Sequence, residues 1–86
     1  MTNGEKYQQI FKEIFGVEDV DLNDKFTFKS VEKWDSLTHL TLIGELETTF
    51  DVMFETKDIL HFGGYLNGIE ILKRYGVEFS DALNSI

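Results

Sequence analysis

The chain has 86 residues, enough for one domain with a single core but too few for a core and an enclosed substrate cleft. Sixteen acidic and eight basic residues give a net charge of −8, which disfavours binding to nucleic acid or to an anionic membrane. The absence of cysteine excludes disulfides, thiolate nucleophiles and cysteine-based metal sites. With a polar N-terminus and no long apolar run, we expect a cytoplasmic protein without a membrane span.

The first predicted helix begins near Asn3, which can cap it, and ends at Gly16, which suits a left-handed cap. Its apolar face follows the helical spacing and contains Tyr7, Ile10, Phe11, Ile14 and Phe15. A long connector follows at residues 17–33. Its isolated apolar residues are expected to pin it onto the core, and they are Val20, Leu22, Phe26, Phe28 and Val31.

The second predicted helix runs from about Asp35 to Phe50. Asp35 suits an N-cap, because its carboxylate can accept hydrogen bonds from free backbone N–H groups of the first turn. Ser36 then lies at the helix edge, exposed and near the positive helix end, where an anionic group can be attached. The apolar stripe of this helix is expected to contain Leu37, Leu40, Ile43, Leu46 and Phe50.

Thr56 is predicted to cap a one-turn helix, and a last main helix begins near Gly64 and ends at Gly76. The apolar face of that last helix is expected to contain Tyr65, Leu66, Ile69, Leu72 and Tyr75. The pattern of residues 1–76 therefore predicts an all-α, up-and-down bundle of three long helices and one short helix, with a long first loop. Residues 77–86 form a C-terminal tail that is extended, ends in a turn capped by Ser80, or frays.

The segment from Trp34 to Phe50 reads WDSLTHLTLIGELETTF. It resembles the acyl carrier protein family, whose signature is Asp-Ser-Leu at the start of the second helix. The resemblance covers nearly the whole chain and is most specific over residues 34–54. It implies an acyl-carrier-like bundle in which Ser36 accepts phosphopantetheine from coenzyme A through a phosphodiester, with Asp35 and Leu37 completing the attachment motif. The thiol of this cofactor would carry an acyl or aminoacyl group as a thioester.

The resemblance also implies that the chain is not an enzyme, since Ser36 is an anchor and catalysis belongs to the partners. These partners are a phosphopantetheinyl transferase with bound magnesium, a loading ligase or synthase, and acceptor acyltransferases or synthases. The carrier itself is expected to be a monomer. Partner contacts are predicted at Trp34, His39, Glu45 and Glu47. Packing of the loop against the bundle is the simpler interpretation of Trp34. His39 either hydrogen-bonds the phosphate, steers a partner or has no role.

Aromatic residues dominate the sequence around the end of the second helix and the one-turn helix. Phe50, Phe54 and Phe62 predict a core filled by rings there, which would not open for a long acyl chain. We therefore expect a short, polar or aminoacyl cargo. Together with Trp34 and His39, Phe54 and Phe62 resemble stand-alone carriers of specialised biosynthetic pathways.

Three other functions are open at this point. A carrier-like adaptor would never receive the cofactor and would bind partners through the surface of the second helix. A hydrolase would need a triad, and Asp35, Ser36 and His39 supply its residue types. Asp35 is occupied as a cap, however, and cannot easily orient His39.

A calcium-responsive module is the third alternative. Asp19, Asp21 and Asn23 mimic the first ligands of a calcium loop. The sixth position is Asp24, where glycine is needed, and the twelfth is Ser30, where a bidentate glutamate belongs. We therefore expect an acidic loop without a metal.

Overall fold

The computed structural model describes residues 2–79, and helices account for most of them. The α-helices are α1 (Asn3–Phe15), α2 (Ser36–Phe50), α3 (Thr56–His61) and α4 (Tyr65–Arg74), and a short 3₁₀ turn covers Asp19–Asp21. Within the described range, β-type pairing is limited to one isolated bridge between Thr27 and Gly64. The predicted all-α class is confirmed.

The ends of α1 follow from local hydrogen bonding. The Thr2 hydroxyl accepts from the Glu5 backbone N–H, and the Glu5 carboxylate accepts from the Thr2 backbone N–H, which completes a capping box. The prediction that Asn3 caps the helix is wrong by one residue, and the Asn3 side chain donates to the Glu78 carbonyl instead. Gly16 ends the helix in the left-handed region at φ 65°, as predicted.

The start of α3 and the face of α4 differ from the sequence interpretation. Glu55 precedes the first turn of α3, so the prediction that Thr56 is the cap is wrong by one residue. Gly64 precedes α4 as predicted. Leu66 is 41% exposed and lies outside the core, which contains Ile71 instead.

The core is built around the ring of Phe11. Its centroid lies 4.9–5.9 Å from the ring centroids of Tyr7, Phe15, Phe26, Trp34 and Tyr65. Leu22 and Phe26 are buried and pin the first connector to this cluster, as predicted. Val31 is partly buried against the same core. Phe28 is 43% exposed, with its ring centroid 6.2 Å from that of Trp34. Val20 is 81% exposed, so the prediction is wrong for this residue. The aromatic cluster sets the path by which the connector reaches the start of α2.

The buried face of α2 contains only part of the predicted stripe, namely Ile43, Leu46 and Phe50. Its buried residues are Leu42, Ile43 and Leu46, with Phe50 half-buried beside them. Leu37 and Leu40 are 75% and 62% exposed, so their assignment to the apolar face is wrong. Leu37 stands nine residues before Leu46, which places it about 180° away around a helix of 3.6 residues per turn. Leu37 and Leu46 therefore cannot both lie on the buried face of α2.

The core continues beyond Gly76 into the predicted tail. Val77 and Phe79 are buried, and the Phe79 ring centroid lies 5.7 Å from that of Tyr7 and 6.2 Å from that of Phe50. Residues 77–79 thus extend the bundle that was predicted to end at residue 76. The turn suggested at Ser80 lies outside the described residues.

Candidate functional site

Ser36 is the first residue of α2, and its side chain is exposed. Asp35 caps the helix as predicted, because its carboxylate accepts from the Thr38 backbone N–H at 2.9 Å. This hydrogen bond from Thr38 holds the pKa of Asp35 below its ordinary value. Leu37 follows with an exposed side chain. The cap orders the helix end while leaving the Ser36 hydroxyl accessible to solvent.

An apolar groove of about 650 Å³ opens beside Ser36, between the start of α2, α3 and the first connector. Its apolar walls are formed by Phe28, Leu40, Ile59, Leu60 and Phe62. The volume falls within the range of roughly 300–1,000 Å³ typical of small-molecule sites. Leu60 is 76% exposed and Phe28 43% exposed. Sequence reasoning missed this groove because it expected Leu40 on the buried face of α2 and Phe28 against the core.

The polar lining of the groove has an electrostatic bias. Lys29 lies on its wall, and none of the lining residues in the described part of the chain is acidic. The whole chain has a net charge of −8, so a lining with a basic residue and no acidic one differs in sign from the chain as a whole. The positive end of the α2 dipole lies at Ser36 as well. At that helix end the Asp35 carboxylate already accepts from the Thr38 N–H. Within the lining, Lys29 favours an anion and the walls favour apolar groups.

His39 is bonded through both ring nitrogens. The Trp34 indole N–H donates to Nδ1 at 3.0 Å, and Nε2 lies 2.8 Å from the Ile59 carbonyl oxygen. Because an indole N–H can only donate, Nδ1 is the acceptor, and Nε2 carries the proton that is donated to Ile59. His39 therefore joins α2 to α3, and the suggested phosphate contact has no ring nitrogen left for it. The suggested triad does not assemble either, since Asp35 serves as a cap.

The other predicted partner residues do not line the groove. Trp34 is only 2% exposed, so it packs the loop against the bundle and its ring is not available to a partner. The Glu47 carboxylate accepts from the Phe54 backbone N–H at 2.9 Å and holds the turn after α2. Glu45 is exposed, but it lines a second groove with Glu13, between α1 and α2. Leu37 and Leu40, which the sequence interpretation assigned to the buried face of α2, are exposed on the same helix as Ser36.

The acidic loop that resembles a calcium loop uses its side chains internally. Asp19 forms an ion pair with Lys12, with 2.9 Å between Oδ1 and Nζ. The Asp21 carboxylate accepts from the Glu18 backbone N–H, and Asn23 is likewise bonded to the backbone of its own loop. Over residues 2–79 no three His, Cys, Asp or Glu side chains are grouped to hold a metal ion.

The α3 wall of the groove is fastened to α4 by Asp58. Its buried carboxylate accepts from the Tyr75 hydroxyl at 2.5 Å and from Arg74 Nη2 at 2.8 Å. The Tyr75 oxygen in turn accepts from the Glu55 backbone N–H at 2.9 Å. The Tyr75 hydrogen bond, followed by that of Arg74, holds the pKa of Asp58 below its ordinary value. These hydrogen bonds join α3 to the C-terminal end of α4 through the Asp58 carboxylate.

No protein-family model matches this chain, and no curated protein matches its sequence significantly. Over residues 2–79, no helix combines the length and the apolar character that crossing a membrane requires. The function of the chain is therefore inferred from the capped serine, the adjoining groove and the sequence that forms them.

Proposed function

We propose that this protein is an acyl carrier, which bears phosphopantetheine on Ser36 and presents an acyl or aminoacyl intermediate to partner enzymes. The observation that carries the proposal is the exposed Ser36 at the capped start of α2, on the rim of an apolar groove of about 650 Å³. An anchoring residue needs a hydroxyl that a transferase can reach and space beside it for a tethered group. The resemblance of residues 34–54 to acyl carrier proteins supports the same function, as does the long connection between the first two helices of the bundle.

The residues around Ser36 fit the chemistry of this cofactor. A phosphodiester on the Ser36 oxygen would be anionic, and the positive end of α2 and the Lys29 ammonium would both favour it. The apolar walls at Phe28 and Leu60 would lie against the less polar part of the tethered group. When attached, phosphopantetheine supplies the thiol that carries the acyl group, a chemistry that a chain without cysteine lacks.

In this proposal the chain holds and orients the cargo, and its partners perform the chemistry. Ser36 is an anchor without a catalytic role, and Asp35 keeps the helix end that presents it ordered. A transferase with magnesium would attach the cofactor, a ligase or synthase would load it, and acceptor enzymes would remove the acyl group. A net charge of −8 favours docking of a monomeric, cytoplasmic carrier to basic surfaces on these enzymes.

The test is the intact mass of the protein after incubation with coenzyme A, magnesium and a broad-specificity phosphopantetheinyl transferase. We expect one phosphopantetheine to be added to the wild type and none to Ser36→Ala. Ser30→Ala is the matched control, because the Ser30 hydroxyl is engaged with the Lys25 carbonyl and Thr27, and this variant should still be modified. A folded wild type that no transferase modifies, including any dedicated to this carrier, would contradict the proposal.

An adaptor that never receives the cofactor is the second candidate. The exposed Leu37, Leu40 and Leu60 favour it, since they would also suit a docked protein. Ser36→Ala separates the two functions. It would abolish the activity of a carrier in its pathway, whereas an adaptor would keep both its partner and its activity.

A further inference from the structure

Basic residues are concentrated in one stretch of the first connector, residues 25–33. The stretch contains Lys25, Lys29, Lys33 and the single acidic residue Glu32, which gives it a net charge of +2. The rest of the chain has a net charge of −10, since the whole chain has −8. All three lysines are exposed, and we call them the connector patch. The patch has the opposite sign to the chain that carries it.

No ion pair within residues 2–79 involves the connector patch. The basic residues that do form ion pairs there are Lys12, Lys57, Lys73 and Arg74. Asp24 and Glu32 are exposed and stand next to lysines in the sequence, but neither forms an ion pair in the described range. Asp35, after the stretch, is engaged as the cap of α2. The ammonium groups of the patch are therefore available to a partner.

The backbone that carries the patch is held by hydrogen bonds and by the core. The Phe28 N–H donates to the Gly63 carbonyl at 2.9 Å. The Tyr65 N–H donates to the Phe26 carbonyl, also at 2.9 Å. The side chains of Phe26 and Trp34 are buried at the two ends of the stretch. A fixed backbone lowers the ordering cost of binding, because only the lysine side chains have to be immobilised.

The connector patch lies beside the proposed attachment site. Lys29 and Ser36 line the same groove, and Phe28, which precedes Lys29, is 43% exposed. Protein interfaces commonly place an aromatic side chain within a polar, charged rim. A protein bound to the patch would therefore have its own surface next to a group on Ser36.

The charge distribution of the chain selects a compact acidic partner over an extended polyanion. Nucleic acid and an anionic membrane would both bring negative charge against the remaining net charge of −10. A protein surface can place a few carboxylates opposite the connector patch and residues of other kinds elsewhere. Such complementary charges set the orientation and the rate of association more than the affinity.

We propose that the connector patch is a docking surface for an acidic patch on an enzyme that acts at Ser36. This inference rests on the proposed function, because the enzyme docks there to reach the group that Ser36 carries. The remaining surface of the chain keeps its preference for basic residues, so the docking face of this enzyme carries charges of both signs. Charges of opposite sign at separate points fix the orientation in which the enzyme meets Ser36.

The first test is an NMR titration of the unmodified, isotope-labelled chain with an acidic peptide made of glutamate and leucine. The same peptide with glutamine in place of glutamate is the uncharged control. Measurement at about 0.1 M salt gives a Debye length of about 10 Å, so charges far from the probe contribute little. The readout is the chemical shift of each backbone amide.

Two double variants are matched in charge. Lys25→Glu with Lys33→Glu, the connector variant, reverses two cations of the patch. Lys57→Glu with Lys73→Glu, the control variant, reverses two exposed cations on α3 and α4. Both variants change the net charge of the chain by the same amount. Circular dichroism verifies that each variant is folded.

We expect the acidic peptide to shift the amides of residues 25–33 in the wild type, and the uncharged peptide to shift them much less. The connector variant should bind the acidic peptide about tenfold more weakly, whereas the control variant should change by less than about twofold. Equal weakening in the two variants would overturn the proposal. The absence of shifts at residues 25–33 would do the same.

An anionic lipid surface and nucleic acid are the alternative ligands of the patch. Phosphatidylglycerol vesicles and oligothymidylate are therefore added separately to the wild type under the same conditions, and neither should bind. Binding of either one through residues 25–33, with loss in the connector variant, would overturn the proposal and assign the patch to lipid or nucleic acid.

A second measurement connects the patch to Ser36. The wild type and both double variants are produced in the organism that makes the protein, and intact mass gives the fraction of cofactor-bearing chains that carry an acyl group. This fraction should change in the connector variant and stay constant in the control variant. Equal acylated fractions in all three proteins would show that no enzyme acting at Ser36 uses the patch.

The two proposals fail separately, because the titration needs no modification of Ser36. Peptide binding at residues 25–33, together with a Ser36 that no transferase modifies, would overturn the carrier function and the role of the patch at Ser36. Modification of Ser36 without peptide binding would leave the carrier function standing and overturn the connector patch as a docking surface.

Discussion

The two sides of His39 use apolar side chains in opposite ways. On the inner side, Phe11 and Trp34 are buried, and each Å² removed from water contributes about 25 cal/mol to folding. On the outer side, Leu40 and Leu60 are 62% and 76% exposed and contribute less, and Phe28 is 43% exposed. The stability of the folded chain explains the inner residues but not the outer ones. An apolar patch that the fold does not need is a sign of binding.

Truncation of one ring on each side would show the largest contrast. Phe11→Ala removes the central ring of the core, and we expect it to lower the free energy of unfolding by about 3–5 kcal/mol. Phe28→Ala is the matched variant on the outer side and should cost far less. Urea unfolding monitored by circular dichroism measures both. If the two variants lost equal unfolding free energy, Phe28 would support the fold as much as Phe11 does.

Two helical glycines give the next largest effect. A Cβ at Gly68 would collide with the buried Phe62 ring and the Tyr7 hydroxyl, so Gly68→Ala should cost about 1–3 kcal/mol. A Cβ at Gly44 would meet no atom within 4 Å, and Gly44→Ala should stabilise the exposed face of α2 by about 0.8–1 kcal/mol. Thermal unfolding of both variants is the measurement. A Gly68→Ala protein as stable as the wild type would show that the core beside α4 is loosely packed.

A smaller, pH-dependent effect concerns Asp58, which fixes the α3 wall of the groove. Its pKa is lower in the folded state than in the unfolded state, so its contribution is present above the unfolded value of about 3.9. That contribution is lost as the pH falls through the lowered folded value. We therefore expect the urea midpoint of the wild type to drop between pH 6 and pH 3, and that of Asp58→Asn to drop less.

Two further carboxylates complete the pH experiment. Asp35, whose pKa is also lowered, should preserve part of the pH dependence in the Asp58→Asn variant. Asp24→Asn is the control, because Asp24 is an exposed loop residue and its variant should follow the wild type. An Asp58→Asn protein with the full wild-type drop would show that the contacts of Asp58 do not fasten α3.

The smallest effect on stability is expected for the outer leucines. Leu40→Gln and Leu60→Gln should each change the free energy of unfolding by no more than about 0.5 kcal/mol, since both side chains are exposed. Leu42→Gln, which places an amide in the core, is the destabilising comparison. Urea unfolding measures all three. A loss of more than about 2 kcal/mol at Leu40 or Leu60 would show that these leucines support the fold.

Sequence reasoning succeeded where the causes are local. It located the helices to within one or two residues, because the spacing of Tyr7, Ile10 and Phe11 and the cap at Asp35 involve neighbours in the chain. It was wrong about Leu37 and Leu40, although the helical angle between Leu37 and Leu46 was available in the sequence. The errors at the caps of α1 and α3 were one residue each, as expected where several polar residues compete for a helix end.

The sequence by itself determined the all-α class, the chain order of the helices and the position of Ser36 at a capped helix start, because short-range hydrogen bonds and periodicity decide these features. Only the tertiary structure decided that His39 is bonded to Ile59, twenty residues away, and Asp58 to Tyr75, seventeen residues away. These contacts form where α2, α3 and α4 meet, and no local pattern encodes that meeting. The groove beside Ser36 is the space left open between α2, α3 and the first connector.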